Sequence, residues 1–201
     1  MTILTLVRHG ETEWNREGRI QGSTDIPLNE TGRGQAHEAA LALRGDLPPD
    51  SPLVVVSSDL QRAAETADII AAELGAGTPL RYPGLRERGY GEAEGMRVAD
   101  FHARWGDWHT AEVPGAETWD ALRDRALSAV QSAVRDARRA TAPEAPAVIA
   151  VAHGALIRGL IRHATGGEFP SAHERLPNGS AHTFRLERER LHLLSYVGAS
   201  L

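Results

Sequence analysis

ILTLVRHG, residues 3–10, is the stretch of sequence that decides the fold. Its β-branched and apolar residues predict a buried strand over Ile3–Arg8. This strand ends abruptly at Arg8, His9 and Gly10, which are a cation, an imidazole and a residue without a side chain. Two explanations are open. The strand merely reaches solvent and turns, or it delivers a reactive histidine to the rim of a sheet, beside an arginine that attracts an anion.

A second stretch, IAVAHG at residues 149–154, has the same form: an apolar strand followed by His153 and Gly154. Ligands of open α/β sheets collect beyond the carboxyl ends of the strands. If the two strands are neighbours, His9 and His153 meet in one crevice. One histidine of this kind is more readily explained as a surface residue or a satisfied buried residue. Two histidines in the same context favour a functional site.

The remaining pattern alternates strands with helices, which predicts an α/β fold with a mostly parallel sheet. Further strands are predicted at Leu53–Ser57 and Leu80–Tyr82. Helices are predicted at Thr31–Leu43, from a capping box at Ser58 and Gln61 to Leu74, at Arg97–Trp105, at Thr118–Ala140 and at Ala155–Ala164. The C-terminal residues alternate in polarity around Arg188-Glu189 and predict an antiparallel hairpin. With no linker or repeat, we expect a single domain over residues 1–201.

Arg62 falls in the first turn of a predicted helix, where the positive end of the helix dipole disfavours a cation. An anion bound at that terminus, held by helix amides and the guanidinium together, would explain its place. The alternative is a solvated arginine paired with Asp59 or Glu65.

The composition excludes several kinds of site. There is no cysteine, which excludes disulfides, thiolate zinc sites and a cysteine nucleophile. All 22 basic residues are arginine, which excludes a Schiff-base lysine and the lysine of a Walker loop. The net charge of −5 argues against nonspecific nucleic-acid binding. No apolar run is long enough to span a membrane and no secretory signal is visible, so we expect a cytoplasmic protein.

Five separated motifs, in the right order, resemble the histidine phosphatase superfamily in its phosphoglycerate-mutase-like branch. They are LVRHGETEWN with Arg8, His9, Gly10 and Asn15; QGSTDIPLNETGRGQA with Gln21 and Gly22; VVSSDLQRAAETA with Arg62; LRERGYGEAEG with Glu87; and VAHGALIR with His153 and Gly154. The resemblance covers most of the chain. It implies a three-layer α/β/α sandwich with a mostly parallel central sheet.

The resemblance also implies a mechanism. His9 would attack a phosphoryl group and form a phosphohistidine. Arg8, Arg62 and His153 would surround the phosphate oxygens, and Asn15 would donate a hydrogen bond to them. Glu87 would act as acid and then as base, unless it is only a salt-bridge partner of Arg86 or Arg88. No metal is expected, since the cations replace it and the histidines show no metal-ligand spacing.

Phosphatase and mutase activities are both consistent with the resemblance. Arg88 and Tyr90 resemble the mutase residues that hold a carboxylated substrate. The chain after them is compact and lacks the basic segment of the mutases, and this favours a phosphatase acting on a small phosphomonoester. A mutase would require 2,3-bisphosphoglycerate as its cofactor, whereas the phosphatase requires none. A noncatalytic phosphate-binding adaptor is disfavoured, because it would need neither the nucleophile nor the acid.

Segment 96–117 falls where the family has a variable, substrate-covering segment. Its aromatic residues His102, Trp105, Trp108 and His109 would line a lid over the leaving group, or the tryptophans would pack in the core. Glu117 is interpreted as the partner of an arginine. The expected partners are a small-molecule substrate and neither nucleic acid nor membrane, with a homodimer left open.

Overall fold

The computed structural model describes residues 1–48, 51–171, 174–188, 190–196 and 199–200. Glu189, one of the two residues at which the C-terminal hairpin was expected to turn, lies outside these ranges. Within these ranges, seven strands form one sheet, in the order β3-β2-β4-β1-β5-β6-β7. They are β1 (Thr2–Arg8), β2 (Leu53–Ser57), β3 (Leu80–Arg81), β4 (Ala147–Ala152), β5 (Ala181–Glu187), β6 (Arg190–Tyr196) and β7 (Ala199–Ser200).

The sheet is mixed. The pairs β3-β2, β2-β4 and β4-β1 are parallel, whereas β1-β5, β5-β6 and β6-β7 are antiparallel. The parallel half carries the two His-Gly motifs. The antiparallel β5-β6 pair is the hairpin predicted from the alternation of its residues.

Six helices accompany the sheet in the described part of the chain: α1 (Glu13–Arg16), α2 (Glu30–Asp46), α3 (Gln61–Leu74), α4 (Val98–Trp105), α5 (Trp119–Thr141) and α6 (Gly154–Ala164). Single 3₁₀ turns at Pro83–Leu85 and Gly91–Ala93 lie between β3 and α4.

Strand β4 shows how the sheet is covered on both faces, since all six of its residues are buried. Val148 and Ala150 pack in a core cluster with residues of α5 and α6. Ile149 and Val151 pack in a second cluster with residues of α2 and α3. A strand buried on both faces is continuously apolar, as parallel strands in α/β proteins are. The three-layer α/β/α arrangement is therefore confirmed.

The start of α3 differs from the sequence prediction. A capping box at Ser58 and Gln61 was expected, but the helix begins at Gln61 and its N-cap is Leu60, which makes no side-chain cap. The hydroxyl of Ser58 instead accepts a hydrogen bond from the Leu60 amide at 3.2 Å. A capping box does form at Thr12 and Asn15, at the start of the short helix α1.

None of the helices that the structure describes is both long enough and apolar enough to cross a membrane.

Candidate active site

His9 and His153 emerge side by side from the sheet. Arg8 and Ala152, the last residues of β1 and β4, are paired in the parallel ladder, so the residue after each strand leaves at the same edge. The two imidazole rings lie edge to face with their centroids 5.1 Å apart. Both histidines are almost completely buried. The structure thus brings together the two histidines that the repeated strand-His-Gly pattern singled out.

The ring of His9 is fixed by its own loop. Nδ1 lies 2.7 Å from the carbonyl oxygen of Gly10. A carbonyl only accepts, so Nδ1 carries the proton and Nε2 keeps its lone pair. Burial, with repulsion from Arg62 and Arg8, holds the pKa of His9 well below its usual 6.5, although the Gly10 hydrogen bond opposes this shift. His9 is therefore a neutral imidazole with a free nucleophilic nitrogen.

Arg62 is fully buried at the start of α3. Its Nη1 and Nη2 each donate at 2.8 Å, to the carbonyls of Thr24 and Gly22. The carboxylates proposed as alternative partners are engaged elsewhere: Asp59 with Arg86, and Glu65 with Arg33. The guanidinium is thus held by backbone carbonyls, which leave its charge unneutralised.

Several buried nitrogen atoms around the histidines have no hydrogen-bond partner in the described part of the chain. They are Nε of Arg8, Nε of Arg62, and both ring nitrogens of His153. Burial lowers the pKa of Arg8 and of Arg62, while attraction from Glu87 opposes the shift. Because buried polar atoms are nearly always paired, the two guanidinium N–H groups and the one N–H of the His153 ring fit an anion bound among them.

Glu87 lies at the N-terminus of α6. Its Oε2 accepts from the amide of Ala155 at 3.1 Å, and its Oε1 accepts from the amides of Leu156 at 3.2 Å and Arg88 at 2.9 Å. Neither Arg86 nor Arg88 makes a side-chain ion pair with it among the described residues, since Arg86 pairs with Asp59. Glu87 lines the same cleft as His9, as its assignment as acid and base requires.

Gly10 lies where the backbone of the His9 loop approaches the start of α2 closely. A Cβ atom there would lie 2.2 Å from the carbonyl oxygen of Gly32, so the loop packs directly against the start of α2. The amide of Gly10 donates to Thr66 Oγ1 at 3.1 Å. Close packing of backbone on backbone therefore fixes the loop that carries His9.

Three more residues of the family motifs line this cleft: Asn15, Gly154 and Gln21. Oδ1 of Asn15 accepts hydrogen bonds from the backbone amide of Thr12 and from Nδ2 of Asn178. The side-chain nitrogen Nδ2 of Asn15 is therefore the atom that can donate to a phosphate. Gly154 is the first residue of α6, and a Cβ there would lie 3.4 Å from Nε of Arg8. Gln21 lines the cleft and accepts from the Thr12 hydroxyl at 2.9 Å.

Glu94 is a supporting residue that sequence reasoning missed. Its carboxylate accepts hydrogen bonds from the amides and hydroxyls of Ser23 and Thr24 and from the amide of Tyr90. Burial alone would raise the pKa of Glu94, but these hydrogen bonds lower it below its usual value. It also touches Gly22, which has a φ of 55° and whose Cβ would collide with its carboxylate. Glu94 therefore shapes the loop whose carbonyls hold Arg62.

Arg88 and Tyr90 are placed differently from each other. The guanidinium of Arg88 stacks on Trp119 at 4.2 Å and on Tyr90 at 4.9 Å, and its Nε donates to the Glu117 carbonyl at 2.7 Å. Arg88 is not among the lining residues of the cleft, whereas Tyr90 and Trp119 are. Substrate binding by Arg88 stays a prediction, and the structure shows a buried arginine packed against two aromatic rings.

The cleft has a volume of about 620 Å³ and extends well beyond His9, which lines it, whereas His153 is fully buried and is not a lining residue. Segment 96–117 forms one of its walls through Val98, His102, Asp107, Trp108 and His109. Trp108 also packs on Phe101, with ring centroids 4.5 Å apart, while Trp105 packs against the core. The aromatic residues of this segment are thus divided between the cleft and the core. Glu117, as expected, pairs with an arginine, and its partner is Arg125.

The model of the histidine phosphatase superfamily (branch 1) matches residues 4–197 of the chain. The chain belongs to this superfamily. A relative named uncharacterized phosphatase PhoE, from Bacillus subtilis, is 35% identical over 196 residues, which cover 98% of this chain and 94% of that protein. A metal-independent phosphoserine phosphatase from Arabidopsis thaliana is 32% identical over 199 residues and covers 94% and 79% of the two chains.

Solved structures of histidine phosphatases have the same fold. A mycobacterial glucosyl-3-phosphoglycerate phosphatase in complex with VO3 superimposes with a TM-score of 0.78 at 28% identity, over 98% of this chain and 99% of that one. Proteins named 2,3-bisphosphoglycerate-dependent phosphoglycerate mutases are also similar to this chain. The predicted family, fold and enzyme class are therefore confirmed, and the similarity extends to mutases as well as phosphatases.

Proposed function

We propose that this histidine phosphatase hydrolyses small phosphomonoesters without a metal ion, through a phosphohistidine formed at Nε2 of His9. The observation that carries the proposal is that an oriented nucleophile lies beside several buried nitrogen atoms that have no hydrogen-bond partner within the described residues. Nδ1 of His9 is committed to Gly10, and buried nitrogens of Arg8, Arg62 and His153 have no partner within the described residues. A phosphoryl group bound there would meet both the nucleophile and the charge that stabilises its oxygens.

In the first step, Nε2 of His9 attacks phosphorus and the bond from phosphorus to the ester oxygen breaks. The leaving oxygen takes the proton of Glu87 in its acid form and departs as an alcohol. The new N–P bond is the phosphohistidine. Arg8, Arg62 and His153 hold the three outer oxygens in place as charge spreads over them, so most of the rate enhancement comes from positioning and electrostatics.

In the second step, Glu87 as carboxylate takes a proton from water, and the hydroxide oxygen attacks phosphorus. The N–P bond breaks, which restores the neutral imidazole and releases inorganic phosphate. Glu87 ends the cycle protonated, ready for the next ester. One difficult displacement is thereby divided into two easier ones.

A metal is not required in this scheme because guanidinium groups supply the positive charge. No group of three or more metal-ligating side chains occurs among residues that the structure describes. Independence from metal is a proposal, tested below by chelation. A cytoplasmic location, the absence of nucleic-acid partners and a homodimeric state likewise stay expectations.

The cleft wall formed by segment 96–117 favours hydrolysis over mutase activity, because neither arginine of this segment lines the cleft. Arg104 pairs with Glu92 and stacks on Trp105, and neither it nor Arg97 lines the cleft. Arg88, which resembles a carboxylate-binding residue of the mutases, is packed against two aromatic rings and does not line the cleft. A mutase must retain a bisphosphate, and this wall of the cleft provides no arginine for that purpose.

The test is a panel of small phosphomonoesters assayed for free phosphate in the presence of EDTA, with 3-phosphoglycerate also assayed for isomerisation in the presence of 2,3-bisphosphoglycerate. We expect phosphate release that survives chelation, and a trapped phosphoenzyme that is acid-labile and alkali-stable. His9→Ala should lower turnover by roughly 10⁴-fold or more while circular dichroism shows a retained fold. The control is His37→Ala, since that side chain is 54% exposed on α2.

Isomerisation without phosphate release would replace the proposed phosphatase with a mutase. Substantial turnover by His9→Ala would remove the nucleophile assignment. Loss of activity with EDTA would contradict the metal-free site.

A further inference from the structure

The cleft is larger than a phosphate group, so much of it is available to the leaving group. It is lined by five arginines, Arg8, Arg62, Arg158, Arg175 and Arg19, and by three acidic residues. The first two belong to the proposed phosphate site. The question is what Arg158 and Arg175 recognise.

Arg158 is occupied in holding a strap of backbone, residues 174–176, against the cleft. Its Nη2 donates to the carbonyl of Glu174, and its Nη1 donates to that of Ser171 at 3.1 Å. On the other side of the strap, Nη1 of Arg8 donates to the carbonyl of Leu176. The residue between these two anchored carbonyls is Arg175.

The side chain of Glu174 is anchored as well. Its Oε2 accepts from the amide of Ser171 at 3.2 Å and from the hydroxyl of Tyr196 at 3.4 Å. The strap is therefore fixed to β6 and α6, and its geometry does not depend on the side chain of Arg175. Because the backbone on both sides of Arg175 is already fixed, only its side-chain rotamers have to be ordered when it binds an anion.

Arg175 itself is an exposed cation with no carboxylate or carbonyl partner in the part of the chain that the structure describes. Its charge lowers the pKa of Arg8, which places the two guanidinium groups within electrostatic reach of each other. Arg19, another arginine of the cleft, is by contrast paired with Glu17 at 2.6 Å and bound to the Gly95 carbonyl. Arg175 is thus free to take an anion beside the phosphate site.

We propose that Arg175 binds a second anionic group on the leaving part of the substrate, and so selects phosphomonoesters that carry a carboxylate or another phosphate. This inference rests on the proposed phosphatase function. It moves recognition of the second anion away from Arg88, which is buried against the rings of Tyr90 and Trp119 and does not line the cleft. The guanidinium fork of Arg175 suits either anion, since it donates two parallel hydrogen bonds to carboxylate and phosphate alike.

The test uses three esters that share a three-carbon skeleton: 3-phosphoglycerate, glycerol 1,3-bisphosphate and glycerol 3-phosphate, which has no second anion. We expect kcat/KM to favour at least one of the anionic esters over glycerol 3-phosphate by about tenfold, the value of one partly exposed charge-assisted contact. Arg175→Gln should bring that ratio close to one. Arg139→Gln is the matched control, because that arginine is 74% exposed on α5 and does not line the cleft.

Preference for only one anionic ester would identify the anion as carboxylate or phosphate. No preference in the wild type, or a preference retained by Arg175→Gln, would overturn the proposal.

Binding is measured separately from turnover by calorimetry with the same esters in His9→Ala and in His9→Ala combined with Arg175→Gln. A tenfold affinity difference that disappears in the double variant supports the anion subsite even if the wild type hydrolyses none of the esters. In that case the proposed phosphatase function alone would fail. Equal affinities for charged and uncharged leaving groups would remove the subsite, whatever the turnover.

Discussion

The hydroxyl of Thr66 connects the loop of the nucleophile to the helix of Arg62. It accepts from the Gly10 amide at 3.1 Å and donates to the Arg62 carbonyl at 2.7 Å, and the residue is completely buried. Gly10 in turn supplies the carbonyl that orients His9. A single buried hydroxyl therefore fixes the distance between nucleophile and phosphate-binding cation.

Thr66→Val keeps the shape of this side chain and removes its hydroxyl, which leaves the buried amide of Gly10 without its acceptor. We expect a loss of about 1–3 kcal/mol in the free energy of unfolding, measured in urea. Displacement of the loop should also lower kcat by about tenfold or more. Thr66→Ser, which restores the hydroxyl, should recover most of both. A valine variant with wild-type kcat would show that packing alone holds the loop.

For individual residues, sequence reasoning found those with distinctive chemistry and missed those that support them. His9 and His153 share a repeated pattern of strand, histidine and glycine. Arg62 places a cation at the positive end of a helix, where a cation is disfavoured. Glu94 and Asn178 occur in ordinary polar stretches, and their roles come from contacts with distant parts of the chain: Glu94 with Ser23, and Asn178 with the His9 carbonyl at 2.9 Å. Such contacts leave no local signal.

Among the elements, α5 carries a clamp for the loop that bears Glu87. Arg125 forms a bidentate ion pair with Glu117, at 2.9 and 2.7 Å, with both side chains mostly buried. The same guanidinium donates to the carbonyls of Gly84 and Arg86 at 2.9 Å, and to that of Glu87 at 3.3 Å. The position of the proposed acid thus depends on a helix on the far side of its loop.

Glu117→Gln removes the charge that orients Arg125 and retains the shape of the side chain. We expect a loss of roughly 1–2 kcal/mol in unfolding free energy, and a fall in kcat that exceeds any change in KM. Steady-state kinetics and urea unfolding measure the two effects. Arg123→Gln is the control on the same helix, where the ion pairs with Asp120 and Asp124 are exposed and contribute little. Equal effects of the two variants would contradict the clamp.

The element boundaries show what periodicity can and cannot predict. The buried strands and long helices were predicted to within a few residues, because their apolar repeats are strong. The capping box at Ser58 was wrong, since Ser58 is buried beside β4, where its amide donates to the Val151 carbonyl at 2.9 Å and the helix starts later. Tertiary contacts decided that boundary, and no local pattern encodes them.

Three buried histidines make the unfolding free energy of the whole molecule depend on pH. His9, His153 and His182 are all buried. Burial lowers the pKa of each, with Arg8 contributing to every shift, and the pKa of His182 falls to about 4. Below a pH of about 6.5, the unfolded chain therefore binds more protons at these sites than the folded protein does. Stability must then fall as the pH falls, because the slope of unfolding free energy against pH is positive wherever the unfolded state binds more protons.

We expect each of these histidines to remove about 1.4 kcal/mol of unfolding free energy per pH unit below about 6.5, and for His182 the loss should end near pH 4. Urea unfolding without phosphate, at several pH values between 7.5 and 5, measures the slope. His182→Gln should reduce it by the share of one histidine, whatever the change in stability at neutral pH. A slope unaffected by His182→Gln would mean that this histidine is protonated in the fold.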